Sequence, residues 1–173
     1  MLKNFFLSFR TSSSLKRSNI SRRTSGFRES LSIGILYTYS NKHNFELVND
    51  LINRLKKEGK QVTPITHIVK MGPNDTYNFP FFNSSDVDFW GKWKSDEVNS
   101  FLNKSFDYLL SLDLNTNNMT QNILAKSKAK CRVGRFEEGK SDYFEMMIDH
   151  KENNYDQFID QVFHYIKNVR NGN

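Results

Sequence analysis

The chain is poor in several things, and each shortage excludes a class of protein. One cysteine, Cys131, stands among 173 residues. That rules out an intramolecular disulfide and suits a reducing compartment. No run of about 18 apolar residues occurs, so no transmembrane helix is expected. The opening MLKNFFLSFR has a short apolar patch but no longer apolar core and no small-residue cleavage motif, so it does not read as a secretory signal. GxGxxG is absent, and the turn after the first apolar run, TYSNKHN, contains no glycine. The dinucleotide fingerprint is missing, and the one GxxxxGKS match, GRFEEGKS over 134–141, runs between two expected strands rather than into a helix, so it does not make a phosphate-cradling P-loop. No GxSxG elbow occurs either.

Acidic residues are nearly missing from one stretch. Residues 1–30 carry Lys3, Arg10, Lys16, Arg17, Arg22, Arg23 and Arg28 against Glu29 alone. Their net charge of +6 equals that of the whole chain, because the remainder balances 18 basic against 18 acidic residues. Residues 11–30 are rich in Ser, Thr and Arg without an apolar period, and are expected to form an extended tail. NFFLSF, residues 4–9, could dock one apolar turn. The Arg- and Ser-rich, acid-poor composition also suits a transit peptide. The expected organisation is a basic N-terminal extension over 1–30 and an α/β domain over 31–173.

Beyond the extension, hydrophobic patterning is clear. LSIGILYTY (31–39) and QVTPITHIV (61–69) read as buried strands. Between them Phe45, Val48, Leu51, Ile52 and Leu55 recur at helical spacing, with Lys56 and Lys57 in the last turn and Gly59 at the cap. This is a βαβ unit, whose strands should be parallel. Residues 71–93 lack a period and read as a long connection. Ser95 should cap a helix over 95–104. A strand over 106–114, a short helix over 117–127, strands over 129–136 and 143–150, and a closing helix over 154–170 complete the chain. The fold expected is a Rossmann-like three-layer α/β domain, a mostly parallel sheet of about five strands with helices on both faces. Only EEGKSD separates the last two strands, too short for a crossover, so the last is expected to be antiparallel.

FDYLLSLDL, ILAKSKAKCRVGRF and YFEMMID resemble segments of a family of short uncharacterised bacterial α/β proteins. GILY, FFNSSDVDFWGKWKSDEVNSFLN and YIKNV extend the resemblance from about residue 31 to the C-terminus. It implies a bacterial cytoplasmic protein and brings no activity and no catalytic residues. A second, shorter likeness, in FDYLLSLD and KCRVGRF, is to the acceptor-side half of heptosyltransferase-type glycosyltransferases. It bears on fold rather than on activity.

Catalytic chemistry finds little support in the residues. His43, His67, His150 and His164 have no ligand spacing with one another or with Cys131. Cys131 alternates with Ala129 and Val133 and should face the core. Asp113 ends a strand at the carboxyl edge, where α/β sheets bind ligands, but an antiparallel last strand would put Asp149 at the other edge. No catalytic residue, cofactor or metal ligand is therefore assigned. Lys126, Lys128, Lys130, Arg132 and Arg135 form a second basic run, either a lysine-protected sheet edge or a second contact for a polyanion. Phe81, Phe82, Phe89, Trp90 and Trp93 crowd the long connection, as core caps or as a protein-docking surface.

A neutral body with a basic extension suits a polyanionic partner, since Arg matches phosphate by its fork of donors. The expectation is a non-catalytic, cytoplasmic RNA-binding protein associated with rRNA in ribosomal particles. Its RNA contacts would be the seven cations of residues 1–30 together with Lys126, Lys128, Lys130, Arg132 and Arg135. Two alternatives stand beside it. One is a small Rossmann-like enzyme or ligand-binding module with its site near Asp113 and Tyr39. The other is a membrane-surface protein using NFFLSF as an apolar wedge.

Overall fold

A computed structural model describes residues 2–72 and 75–170. Five helices, α1 (Leu2–Arg17), α2 (Lys42–Lys57), α3 (Asp96–Asn103), α4 (Asn118–Lys126) and α5 (Tyr155–Lys167), pack with six strands. The strands are β1 (Ser32–Thr38), β2 (Gln61–His67), β3 (Phe81–Phe82), β4 (Tyr108–Ser111), β5 (Cys131–Arg135) and β6 (Met146–Ile148). Their order is β3-β2-β1-β4-β5-β6 and every pairing is parallel. This is the doubly wound Rossmann-like order, whose switch point lies between β1 and β4.

Strand alternation divides the interior into two layers. Ile33, Ile35, Tyr108, Leu110, Cys131 and Val133 face α2 and α5, meeting Leu51, Leu55, Phe158 and Val162. Leu36, Ile65 and Leu109 face the other way, toward Val98 and Phe101 of α3 and Ile123 and Leu124 of α4. The helices begin where side chains can satisfy free N–H groups. Asn41 accepts from Asn44 N at 2.8 Å, and Ser95 accepts from Val98 N at 3.3 Å. Asn117 accepts from Thr120 N at 3.1 Å while Thr120 Oγ1 accepts from Asn117 N at 3.2 Å, a reciprocal cap for α4.

The sheet has six strands, because Phe81–Phe82 adds a short edge strand beside Thr66 and His67. The structure has the expected Rossmann-like three-layer fold and corrects three expectations within it. The last strand is parallel. It spans only 146–148, so its link to β5 runs from 136 to 145 through a 3₁₀ turn at Ser141–Tyr143. Ten residues reach the lower limit for a parallel crossover. Residues 11–17 are not extended: they continue α1, with Lys16 and Arg17 in its last turn, where cations offset the helix dipole. The remaining difference concerns β5, which lies between β4 and β6 and is therefore interior, not an edge guarded by lysines.

α1 packs on α4. Leu7 and Thr11 are buried there, and Leu7 joins Phe82, Val87 and Trp93 in the second core layer. Asn122 of α4 is fully buried; its amide donates to Thr11 Oγ1 at 2.8 Å and its oxygen accepts from Trp93 Nε1 at 2.8 Å. Residues 18–30 then cross the amino edge of the sheet. Arg23 N donates to Lys130 O at 3.0 Å and Phe27 N to Val169 O at 3.1 Å. Tyr108 donates its hydroxyl to Ser25 O, and Lys60 Nζ donates to Phe27 O at 2.5 Å and to Ser30 O at 2.8 Å. The basic segment thus shares its packing with the body that follows it.

Candidate functional site

The cations singled out in the sequence fall into distinct groups once the chain is folded. Four are structural. Arg132 is 4% exposed. Its Nε and backbone N donate to Glu145 Oε2 at 3.0 and 2.7 Å, and Nη2 donates to Glu145 Oε1 at 2.7 Å. Arg22 approaches the same carboxylate at 3.6 Å and donates to Ala129 O at 2.5 Å and Ser127 O at 3.2 Å. Burial, and then the charge of Arg132, lower its pKa. Lys130 pairs with Asp107 at 2.8 Å. Burial pushes Asp107 up, but Lys130 and the N–H groups of Ser32 and Leu31 outweigh it and hold the carboxyl at about 2. Arg135 donates to His150 O at 2.7 Å and Leu114 O at 2.9 Å, tying down the end of β5. A basic strand face was expected of Lys128, Lys130 and Arg132. Arg132 is instead enclosed, and Lys128 and Lys130 precede the strand.

A second group converges. Phe6, Phe9, Arg10, Ser13 and Arg17 recur at helical spacing along one side of α1, beside the buried stripe of Leu7 and Thr11. With Trp90, Lys126 and Lys128 they line a groove of about 830 Å³, to which no Asp or Glu contributes. Ser14, Ser18 and Asn19 add further donors to its lining. Arg10 Nε donates to Trp90 O at 2.6 Å, which fixes the loop against α1. Among the described residues, Arg10, Arg17, Lys126 and Lys128 form no ion pair. Burial lowers the pKa of Lys126; the charge of Arg10 lowers it further, against an opposing effect of Asp88. Like charges held together in a partly dry groove are stabilised by an anion between them.

The other cations lie apart. Lys3 bonds Ser84 O, Lys16 and Arg23 are exposed, and Arg28 borders a cleft with Arg54, Glu58 and Asp160. The aromatic connection divides likewise. Phe82 and Trp93 are buried in the second core layer and so cannot meet a partner, contrary to one expectation. Phe81 is half-buried on edge strand β3, and Phe89 and Trp90 stay exposed.

The carboxyl edge at the switch point gathers Thr38, His67, Asp113 and Asn117. Asp113 accepts from Thr38 N at 2.6 Å and Thr38 Oγ1 at 3.1 Å, and burial raises its pKa to about 6. Burial lowers His67 to about 4; its Nδ1 lies 3.3 Å from both Thr38 Oγ1 and Asn117 Nδ2. These groups satisfy one another; His67 and Asp113 are buried, Thr38 and Asn117 half-buried. Tyr39, Phe45, Tyr77 and Phe79 pack ring against ring beyond them. Parallel β6 brings Asp149 to this same edge, yet two strands from β4, roughly 10 Å at sheet spacing, and exposed. Cys131 is buried, its thiol pushed up to about 11 mainly by burial. Among the described residues no group of three His, Cys, Asp or Glu is placed to hold a metal ion, and no helix is long and apolar enough to cross a membrane.

A family model described as a family of unknown function (DUF6913) matches residues 3–169. The chain belongs to that family. The match takes in α1 and the segment beneath the sheet as well as the α/β body. Neither the curated proteins nor the solved structures contain a match to the chain.

Proposed function

We propose that this protein is a non-catalytic RNA-binding protein whose phosphate contacts lie in the groove between α1 and the end of α4. The observation that carries the reading is the lining: Arg10, Arg17, Lys126 and Lys128 around about 830 Å³, with no carboxylate. Guanidinium and ammonium groups that no carboxylate of the lining pairs with favour a polyanion, and neighbouring Ser and Asn side chains supply neutral phosphate donors. Because α1 is folded and docked, these cations are positioned before RNA arrives, so less ordering entropy is lost than with a mobile arm. A neutral body with one basic face also fits a cytoplasmic protein seated on rRNA in a ribosomal particle. Co-migration with ribosomal particles in a sucrose gradient tests that narrower reading.

The direct test is fluorescence anisotropy with labelled RNA across a salt series. Four phosphates neutralised give a slope of log K against log salt of roughly −3 for single strands and roughly −3.6 for duplex. Arg17→Ala with Lys128→Ala, both exposed, should lower the magnitude of the slope by about 1.4 for single strands. A slope near zero in the wild type, or an unchanged slope in the double variant, overturns the reading.

A further inference from the structure

The cationic groove carries aromatic rings that phosphate binding does not explain. Phe9 is 66% exposed and Trp90 58%, and both line the groove beside Arg10. They are not loose. Phe6 packs edge-to-face on Trp90 at 5.2 Å, and Trp90 meets Phe89 edge-on at 5.3 Å and 87°. The Trp90 carbonyl is held by Arg10, and the next residue, Gly91, lies against the backbone of Leu7. Large exposed rings lose solvation free energy with no return inside the free protein, which marks a contact surface. Here the rings share a groove with unpaired cations, and that pairing selects the occupant.

We propose, resting on the RNA-binding reading above, that the groove takes single-stranded rather than duplex RNA. Bases stack on Trp90 and Phe9 while phosphates meet Arg10, Arg17 and Lys126. A duplex covers its base faces with neighbouring bases and offers only backbone to a groove, so the rings would stay idle. A single strand exposes π-faces at the spacing of its phosphates, and a positively charged groove with aromatic platforms is the general solution for holding it. Stacking tolerates any base, so the sequence preference is weak. A bilayer would meet rings that protrude from a convex surface. Phe9 and Trp90 instead line a concavity together with serines and cations.

The experiment compares labelled single-stranded and duplex RNA of about 12 nucleotides at one salt concentration, using wild type, Trp90→Ala, Phe9→Ala and Trp90→Phe. The expected result is tighter binding of the single strand and about tenfold weaker single-strand binding for each Ala variant. Duplex affinity and the salt slope stay unchanged, and Trp90→Phe is largely restored. Saturating single strand should also quench wild-type tryptophan emission, a readout that needs no variant. Salt-dependent binding of both RNAs with equal affinity, indifferent to Trp90→Ala, leaves the phosphate groove standing and overturns the stacking. No salt-dependent binding of either RNA overturns both. Flotation with phosphatidylserine vesicles that Trp90→Ala abolishes, together with no RNA binding, overturns both in favour of a membrane surface.

Discussion

The guanidinium of Arg132 donates to both carboxylate oxygens of Glu145, through Nη2 to Oε1 at 2.7 Å and Nε to Oε2 at 3.0 Å. The pair joins β5 to the residue just before β6 and also anchors Arg22 beneath the sheet. Removing one partner leaves a buried charge without compensation. Glu145→Ala should therefore lose about 3–5 kcal/mol, read from urea unfolding. Arg132→Met combined with Glu145→Leu should recover much of that loss, because apolar packing avoids desolvating two charges. A loss below about 1 kcal/mol for Glu145→Ala would mean that water reaches the pair.

Charge balance places a boundary near residue 30, and on that ground alone a chain starting at residue 29 would be expected to fold. Packing crosses the boundary. Deleting residues 1–28 uncovers the pocket of Leu7, removes Phe27 from the first core layer and leaves Asn122 without Thr11. Two buried side chains contribute about 1.5–3 kcal/mol each, and a buried amide without its partner costs about 1–3 more. The sum rivals the whole stability of a domain. The truncated chain should be insoluble or unfold without cooperativity, checked by thermal scanning. A sharp transition near the full-length midpoint would contradict this.

Elements whose burial is apolar and periodic were legible in the sequence. α2 and α5 bury Val48, Leu51, Ile52, Leu55 and Phe158, Ile159, Val162, Ile166, and both lie where periodicity puts them. α1 escaped because only Leu7 and Thr11 are buried in it, and its contact with α4 runs through the Thr11–Asn122 hydrogen bond, which apolar patterning cannot register. Tyr143 and Phe144 resembled strand residues, but Tyr143 closes a 3₁₀ turn and Phe144 packs where Gly134 has no side chain. Counting them as strand shortened the crossover and reversed β6. Part of the candidate groove was visible as charge: Arg10, Arg17, Lys126 and Lys128 are all in the basic runs. Period-two reasoning could not separate them from Arg132 and Lys130, because an interior strand flanked by Glu145 and Asp107 looks the same in one dimension as a basic edge.

Gly91 has φ +74°, and a Cβ there would meet Leu7 N at 3.0 Å and Leu7 Cα at 3.1 Å. Both the turn and the approach of α1 need its bare backbone. Gly91→Ala should cost about 2–3 kcal/mol, from left-handed strain plus displacement of α1. Gly59 has a similar φ of +79° but open space around it, so Gly59→Ala should cost only about 1 kcal/mol. Denaturant midpoints of the two variants measure the difference, and equal losses would remove the steric role of Leu7. Hydrogen exchange should locate the extra loss in α1.

Asp113 and His67 both contact Thr38 Oγ1, and burial moves their pKa values in opposite directions, to about 6 and about 4. The folded chain holds a proton on Asp113 that the unfolded chain, near 3.8, has released between about pH 4 and 6. That contribution to stability falls as pH rises through the window. For His67 the unfolded chain, near 6.5, takes up a proton that the folded chain refuses until about pH 4, so its contribution rises with pH between those values. The two oppose each other in the wild type, and single substitutions should separate them. Asp113→Asn leaves the His67 dependence, so acidifying from pH 6 to 4 should lower the melting temperature relative to wild type. His67→Gln leaves the Asp113 dependence, so the same acidification should raise it relative to wild type. At about 1.4 kcal/mol per pKa unit, each difference should reach on the order of 2 kcal/mol across the window, a shift of several degrees measurable by differential scanning fluorimetry at matched ionic strength. Parallel pH profiles for all three proteins would show that neither group changes its protonation on folding.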